Sequence, residues 1–386
     1  MEYVPARSTP SRSSLTVLHA IHALFIVLIL ILPATPQTPQ SSFDDLSRRA
    51  TAAREAERLE EAMSLYQKAV TLRPSWAEGW FYLGTLHYDR NEFAPAAAAF
   101  RKVTALQPKS GTAFVMLGLC EFQLNQDENA LRHLQKGKEI GVSNDPGLRN
   151  VVLFDEALLL QRKGAFEKAQ EPLDQLCHDK VEREDLLQVL GMVQLRLRTT
   201  DRLATTPPGP DVIRRIGNAG CLAAQKRFDE ARPEFETVAR EFPQFPAVHY
   251  AFGNFLLQVP DIPAAKESFE REIKNNPKDV LSRLKIAAAL YRTDSAAGVP
   301  YAEQAVKLDP SVALGHYLLG LLLLDTDDFA RAIPELETAR KGLPDEPKLY
   351  FALGTAYSRA GRNADAARAR SQFQKLQQKE VNKSSQ

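Results

Sequence analysis

The chain has 386 residues, of which 44% are hydrophobic and 25% are charged, and its formal net charge is +1. That length corresponds to about two or three domains or to one elongated array, and the composition is ordinary for a soluble protein. A charge this close to zero gives no electrostatic basis for binding nucleic acid or an anionic surface, so we expect neither partner.

The N-terminus is a basic segment followed by an apolar one. Arg7 and Arg12 precede residues 15–32, LTVLHAIHALFIVLILIL, which only two histidines interrupt. The uninterrupted apolar part, residues 23–32, has the length of a signal-peptide core, whereas the whole segment is long enough for a membrane anchor. Basic residues before it and acidic residues after it predict that the rest of the chain is exported. Whether residues 1–34 are cleaved or retained stays open, and membrane contact is expected only through an uncleaved apolar segment.

Internal similarity begins after a Pro/Gln/Ser-rich linker, residues 35–42. Residues 77–108 and 246–277 have the same length and layout, and prolines that end such units recur at spacings of 33 or 34 residues. In most units the eighth place is Gly or Ala, the twentieth is Ala and the twenty-fourth is large and apolar. A fixed period of this length predicts a repeat architecture.

The spacing predicts one helical hairpin per unit. Places four, seven, eight and eleven share one face of a first helix, and places twenty, twenty-four and twenty-seven share one face of a second. Small residues such as Gly84 and Ala96 let the two helices approach closely, and a large one such as Phe100 fills the space around that contact. The proline at place thirty-two ends the second helix.

The pattern of Trp80, Leu83 and Gly84, followed by Phe100, resembles the tetratricopeptide repeat. The resemblance extends over residues 43 to about 380. It implies an all-α fold, a right-handed superhelical solenoid of antiparallel helix pairs, here preceded by an N-terminal hydrophobic helix. It also implies a protein that binds other proteins.

One unit departs from the period. The unit that starts at residue 184 has a good first helix but no second-helix signature, and TTDRLATTPPGPD, residues 199–211, follows instead. We interpret this Pro-rich segment as an irregular joint between a front array, residues 43–198, and a back array, residues 212–380. The back array ends in a solvated capping helix, and residues 381–386 form a tail. The sequence leaves open whether the joint is a hinge or a rigid kink.

The cysteines and histidines are expected to have packing roles. Cys120, Cys177 and Cys221 fall at apolar places of their units, and an odd number of cysteines without zinc-type spacing indicates neither a disulfide framework nor a metal site. His249 and His316 occupy the fourth place, where another unit has tryptophan. We expect both to be half-buried with one polar edge hydrogen-bonded.

Catalytic and cofactor-binding motifs are absent from the sequence. It contains no G-x-S-x-G, no phosphate-binding glycine loop and no H-E-x-x-H, and the repeats leave no stretch long enough for a catalytic domain. We therefore expect no enzymatic activity, no cofactor and no metal. The less favoured alternative is a cryptic hydrolase that uses carboxylates of the groove, for which Asp155 is the residue to test.

The first helices of stacked hairpins line the inside of the superhelix, and their exposed places form an unusually aromatic groove. Such a surface predicts binding of an extended peptide or an amphipathic helix of a partner. The alternative is that tight coiling buries part of it between neighbouring first helices. Partner binding is predicted for Phe81, Tyr88, Phe122, Phe154, Tyr250, Tyr291, Tyr317 and Phe351.

The favoured interpretation is a non-catalytic scaffold in the cell envelope, either periplasmic and soluble after cleavage or anchored in the cytoplasmic membrane. The rival interpretation is a regulatory or targeting subunit of an envelope enzyme complex. Repeat proteins that grip acidic chaperone C-termini share Lys at place five and Asn at place nine, and here only Asn254 matches. The asparagine at place six of sugar-transferase relatives is also missing.

Overall fold

The structure is a computed structural model that describes residues 39–142 and 145–384. Over these residues the chain is all-α, with nineteen α-helices, one 3₁₀ helix and no strand. The α-helices are α1 Pro39–Glu55, α2 Leu59–Leu72, α3 Ala77–Asp89, α4 Phe93–Leu106, α5 Gly111–Gln123, α6 Asp127–Ile140, α7 Pro146–Arg162, α8 Phe166–His178, α9 Leu186–Gln194, α10 Gly209–Ala224, α11 Phe228–Glu241, α12 Val248–Gln258, α13 Ile262–Asn275, α14 Val280–Leu290, α15 Ser295–Leu308, α16 Ala313–Asp325, α17 Phe329–Gly342, α18 Pro347–Arg359 and α19 Asn363–Ser384.

Consecutive helices pack as hairpins that stack on one another. The pairs α3–α4, α5–α6, α16–α17 and α18–α19 are in extensive contact, and the second helix of one hairpin packs on the first helix of the next. The predicted solenoid of antiparallel helix pairs is therefore confirmed. The predicted hydrophobic helix at residues 15–32 lies outside the described residues, and among the residues that are described no helix is both long and apolar enough to cross a membrane.

The turn inside each hairpin uses a left-handed residue. Asn91, Asn125 and Asp327 have φ of 60°, 55° and 59° between the two helices of their units. Asparagine and aspartate tolerate this conformation better than other non-glycine residues. After Asp327, the Asp328 side chain accepts a hydrogen bond from the Arg331 amide at 3.2 Å and caps α17. The left-handed residue and the helix cap reverse the direction of the chain within a few residues, so the two helices can pack side by side.

Within a hairpin, the small residue at place eight lies against the large residue at place twenty-four. A Cβ atom added to Gly253 would lie 2.6 Å from the Phe269 ring, and one added to Gly320 would lie 2.6 Å from Leu336. The alanine at place twenty is equally buried, as at Ala265, but it is not the nearest neighbour of the glycine. The glycine thus makes room for the large side chain of the facing helix, which refines the predicted contact.

In four hairpins, polar aromatic residues at place four join the first helix to the proline that precedes it. Their side chains reach the carbonyl oxygen of the proline six residues earlier, and this satisfies an acceptor that the ended helix leaves free. The expected hydrogen bond of His249 and His316 is confirmed, and His316 is half-buried as expected, but His249 is fully buried. The bonds join Trp80 Nε1 to Pro74 at 2.9 Å, His249 Nε2 to Pro243 at 3.1 Å, His316 Nε2 to Pro310 at 3.0 Å and the Tyr350 hydroxyl to Pro344 at 2.9 Å.

The helix that was missing from the irregular unit is supplied by the next unit. Helix α10 packs on α9 as well as on its own partner α11, so it serves both units. Helices α9 and α10 touch backbone to backbone, because a Cβ atom on Gly191 or Gly217 would lie 1.8 Å from a carbonyl oxygen of the facing helix. This sharing explains why the unit is shortened.

Residues 199–211 of the joint are mostly exposed, and hydrogen bonds lie on either side of them. The Gln161 side-chain amide donates to the Leu197 carbonyl at 2.7 Å, just before the joint, and Gln225 donates to the Cys177 carbonyl at 3.0 Å, just after it. One cluster of buried apolar residues runs without interruption from α5 to α14. The hydrophobic core therefore continues past residues 199–211, of which only Ala204 packs against it, and the division into two arrays remains a prediction.

The contact at place eight predicts opposite effects for two Gly→Ala substitutions. Gly253→Ala forces a methyl group into the fully buried Phe269 ring, whereas the nearest neighbour at Gly354 is the flexible Arg370 side chain at 3.2 Å. Overpacking costs about 1–3 kcal/mol, and replacing a helical glycine gains about 1 kcal/mol. Denaturant unfolding should show Gly253→Ala to be less stable by about 1–2 kcal/mol and Gly354→Ala to be equally or more stable. Equal effects at the two positions would refute this account of the repeat.

Candidate partner-binding site

Three of the predicted binding residues lie together on the inner side of the last hairpins. First helices α14, α16 and α18 contact one another in sequence, and Tyr291, Tyr317 and Phe351 line one groove of about 660 Å³ between them. Phe351 is 60% exposed, an unusual state for a side chain of its size. The groove therefore has the aromatic, accessible surface that the sequence predicts for this part of the chain.

The floor of the groove comes from α16, whose sequence ALGHYLLGLLLLD is apolar on every side. Leu319 and Leu322 point into the core and are buried, whereas Leu321 and Leu324 are half-buried and line the groove. A helix that is apolar all round usually has a neighbour on every face. Here one apolar face borders the groove instead.

The rim of the groove carries more positive than negative charge. Arg292, Lys348 and Arg359 line it and are exposed, and none of them forms a salt bridge with the residues that the structure describes. The two acidic residues of the rim are Asp325 and Asp327, and Asp325 already accepts a hydrogen bond from the Ser295 hydroxyl at 2.6 Å. Arg292 is hydrogen-bonded to Tyr291 and interacts with the Asp325 carboxylate, so Lys348 and Arg359 are the rim cations that remain available to a partner.

Tyr317 presents a neutral phenol to the groove. Burial, together with the nearby Glu346 carboxylate and Tyr291, raises the pKa of Tyr317 to about 12. The Arg292 guanidinium lies 5.2 Å from the centre of the Tyr291 ring, which is within range of a cation–π interaction. Both tyrosines can thus offer an apolar face and a polar tip to a ligand.

The predicted residues Phe81, Tyr88 and Phe122 of the front array are half-buried against neighbouring side chains. Phe81 is half-buried with its ring centre 5.7 Å from that of Phe100, and Tyr88 lies 5.6 Å from Phe93. Phe122 is half-buried under the Arg162 guanidinium at 5.0 Å. They do not line the groove of the back array, and partner binding through them stays a prediction.

The expectation that Phe154 faces the groove is wrong. Its side chain has 0% exposure, and the Arg183 guanidinium lies 3.5 Å from the ring centre. Phe154 belongs to the cluster of buried apolar residues that extends from α5 to α14, so at this position the inner face is part of the core. Tyr250 is only 5% exposed, and it lines a separate polar cavity at the joint.

The structure gives Asp155 no access to the groove. Its side chain is 7% exposed, and burial raises its pKa to about 7, against the opposing effect of Arg183 and Arg162. A carboxyl group in this position does not line the groove on which the hydrolase alternative depends. Within residues 39–142 and 145–384, no three His, Cys, Asp or Glu side chains are placed to share a metal ion.

Two of the three cysteines form a disulfide, which the sequence analysis did not predict. Cys177 at the end of α8 is bonded to Cys221 in α10, with their Cα atoms 5.2 Å apart. The expectation of packing alone is wrong for this pair, because apolar places 44 residues apart become neighbours only when α10 packs on α8. Cys120 is a free, buried thiol, and burial raises its pKa to about 12.

The disulfide closes a loop that contains the whole irregular joint. Replacing both residues, in Cys177→Ser/Cys221→Ser, releases this loop in the unfolded state and should lower the free energy of unfolding by about 2–4 kcal/mol. Chemical denaturation of the oxidised protein and of the double variant measures the difference. The Cys120→Ser variant, which removes the free thiol, is the control. The prediction is contradicted if the double variant is no less stable than this control.

Comparison with known families supports the interpretation of the repeats. A tetratricopeptide repeat model matches more than half of the chain, and a second such model matches a further unit near the start. The chain belongs to the tetratricopeptide repeat (TPR) family. The matched residues are 81–141, 221–280, 284–347 and 317–370 for the first model and 46–75 for the second.

Two curated proteins share parts of this TPR array. Protein O-mannosyl-transferase TMTC3 of Homo sapiens is 22% identical over 247 residues, which is 61% of this chain and 26% of TMTC3. Hsp70-Hsp90 organizing protein of Triticum aestivum is 38% identical over 64 residues, 17% of this chain and 11% of that protein. The chain thus spans about a quarter or less of the length of each curated relative.

Similar solved structures include other repeat arrays. MamA from Desulfovibrio magneticus RS-1 is 21% identical and covers 44% of this chain and 96% of its own, with a TM-score of 0.41. The Cut9 and Hcn1 hetero-tetramer of APC/C is 13% identical and covers 86% of this chain and 87% of its own, with a TM-score of 0.35. Both similarities are low, and the family assignment rests on the repeat-model matches.

Proposed function

We propose that the chain is a non-catalytic scaffold that binds an apolar segment of a partner protein in the groove of the last hairpins. The observation that supports this most directly is the convergence of Tyr291, Tyr317 and Phe351 on one accessible groove with an apolar floor. Large aromatic residues in an exposed concave surface are the usual anchors of protein recognition. These residues are attached to packed helices, so their backbone is already ordered in the free protein. Binding therefore loses less conformational entropy.

The charge of the rim defines the chemistry of the partner segment. Lys348 and Arg359 form no salt bridge with the residues that the structure describes, so acidic side chains that flank the apolar anchors of the segment would complete the contact. The groove runs across three first helices, which suits an extended segment or an amphipathic helix. Electrostatic complementarity of this kind contributes to specificity and to the association rate.

The same surface suits a regulatory or targeting subunit. In that case the partner is an enzyme, and the array positions it or alters its activity. A hydrolase that uses Asp155 has less support, because its carboxyl group is buried in the front array and far from the proposed groove. Identifying the partner by capture distinguishes a scaffold from a regulatory or targeting subunit.

We also propose that the chain works outside the cytoplasm. The basic and apolar N-terminal sequence motivates this, and the Cys177–Cys221 disulfide adds independent support. Disulfides persist in oxidising compartments and are rare where thiols are kept reduced. Periplasmic release and anchoring in the cytoplasmic membrane are both compatible with a disulfide.

Partner capture tests the groove. The full chain, tagged at its C-terminus, is cross-linked in cells and purified alongside the variant Tyr317→Ala/Phe351→Ala. Loss of two anchor residues should reduce recovery of the groove partner at least about tenfold, since a binding hot spot is worth about 2 kcal/mol or more. Leu308→Ala is the matched control, because Leu308 is also exposed but lies at the end of a second helix.

Equal recovery with all three proteins would remove the groove hypothesis. Where recovery does fall, a synthetic segment of the partner gives a direct measure of charge complementarity. Replacing its acidic residues with lysine should weaken binding and reverse the salt dependence. An effect of the bound chain on the rate of an enzymatic partner would assign the regulatory role.

The redox state of the cysteines tests the location. Cells are lysed under acid conditions that trap thiols, and free thiols are then alkylated with a reagent of high mass. We expect only Cys120 to react in the native chain, and Cys177 to become reactive once Cys221 is replaced by serine. Three reactive thiols in unstressed cells would place the chain in a reducing compartment and refute its export.

A further inference from the structure

The accessible apolar surface of the groove forms a row along α16. Its members are three or four residues apart, which is heptad spacing and places them on one face of the helix. The row consists of Leu314, Tyr317, Leu321 and Leu324. Leu314 is 57% exposed and the other three are half-buried, so all four can be contacted from the groove side. At 1.5 Å per residue the row is about 15 Å long.

The first helices on either side of α16 carry no such row at the equivalent places. On α14, Leu284 is buried and Ala288 is small. On α18, Phe351 lies between Lys348 and Thr355 and is the large apolar residue of that helix in the groove. A segment that crosses the three helices at one level therefore meets about two accessible large apolar side chains. A segment that follows α16 meets four.

The spacing of the row fits a helix better than an extended strand. Side chains on one face of a strand are about 7 Å apart, whereas neighbouring members of the row are about 5 Å apart along the axis of α16. A strand laid along the row would therefore lose register after two or three side chains. A helix with heptad-spaced apolar residues keeps register, because its side chains insert between those of the facing helix.

Two cations flank the row. Lys348 is the second residue of α18 and Arg359 is the last, so they are about 16 Å apart along the helix. Both are exposed, and neither forms a salt bridge within the described part of the chain. Helices α16 and α18 are both antiparallel to α17, so the two cations stand beside opposite ends of the row. An acidic residue near each end of a bound helix would complement them.

We propose that the groove binds an amphipathic α-helix of about three turns that is aligned with α16, and not an extended segment. Its apolar residues follow a heptad pattern and pack against the row. One acidic residue near each end of the helix pairs with Lys348 or Arg359. This inference rests on the proposed function, and it specifies which kind of partner segment the groove takes.

Three synthetic peptides of about 14 residues in an alanine-rich background test the shape of the ligand. The first has leucines at heptad spacing and a glutamate near each end. The second has the same composition with leucines at alternate positions, and the third is the first with lysines in place of the glutamates. Calorimetry with the purified full chain should give a Kd below about 100 µM for the first and at least about tenfold weaker binding for the others. No binding by the first peptide, or equal binding by the second, overturns the proposal.

The variant Leu314→Ala distinguishes an aligned helix from a segment that crosses the groove. Leu314 lies one turn before Tyr317, so a ligand that crosses at Tyr317 and Phe351 does not need it. Because Leu314 is exposed, the variant should keep the native melting temperature and bind the first peptide about tenfold more weakly. Leu308→Ala, at the end of a second helix, should bind it like the native chain. Native affinity in Leu314→Ala contradicts the alignment with α16.

The outcome can be separated from that of the partner-capture experiment. If Tyr317→Ala/Phe351→Ala loses the cellular partner but the first peptide does not bind, the groove function stands and the helical ligand is wrong. If the native chain self-associates and Leu314→Ala does not, a second copy of the chain occupies the row, and that result also overturns the proposal.

Discussion

The structure depends on one repeated contact, in which a residue without a large side chain at place eight lies against a large one at place twenty-four. At Gly253 and Gly320 there is no room even for one methyl group. This contact sets the distance between the two helices of a hairpin, and hairpins of equal width can stack with a common period. The last hairpin is the exception, since Arg370 replaces the apolar residue, and there the array ends in an exposed helix.

The helices on either side of the joint, α9 and α10, pack even more closely than the two helices of a hairpin. Gly191 and Gly217 let α9 and α10 meet backbone to backbone, so that one helix completes two units and the core continues from α5 to α14. The disulfide and the hydrogen bonds of Gln161 and Gln225 lie on either side of the same crossing. The segment that breaks the sequence period thus lies mostly exposed beside a continuous core.

The aromatic residues of the inner face differ in how accessible they are. In the front array Phe154 is fully buried, whereas Phe81, Tyr88 and Phe122 are half-buried. In the back array Phe351 remains exposed beside Tyr291 and Tyr317, and a groove with an apolar floor and a basic rim results. The groove suits a protein segment because its anchors are aromatic.

The sequence by itself determined the helices, the hairpins, the TPR family and the packing role of His249 and His316. Each of these depends on residues fewer than about 35 positions apart, that is, within one repeat period. It also placed Tyr291, Tyr317 and Phe351 on the inner side. Only the tertiary structure decided which inner residues stay accessible, that Cys177 meets Cys221, and that α10 serves two units. Those outcomes depend on the angle and distance between neighbouring hairpins, which arise from contacts summed over several units and leave no periodic signal in the chain.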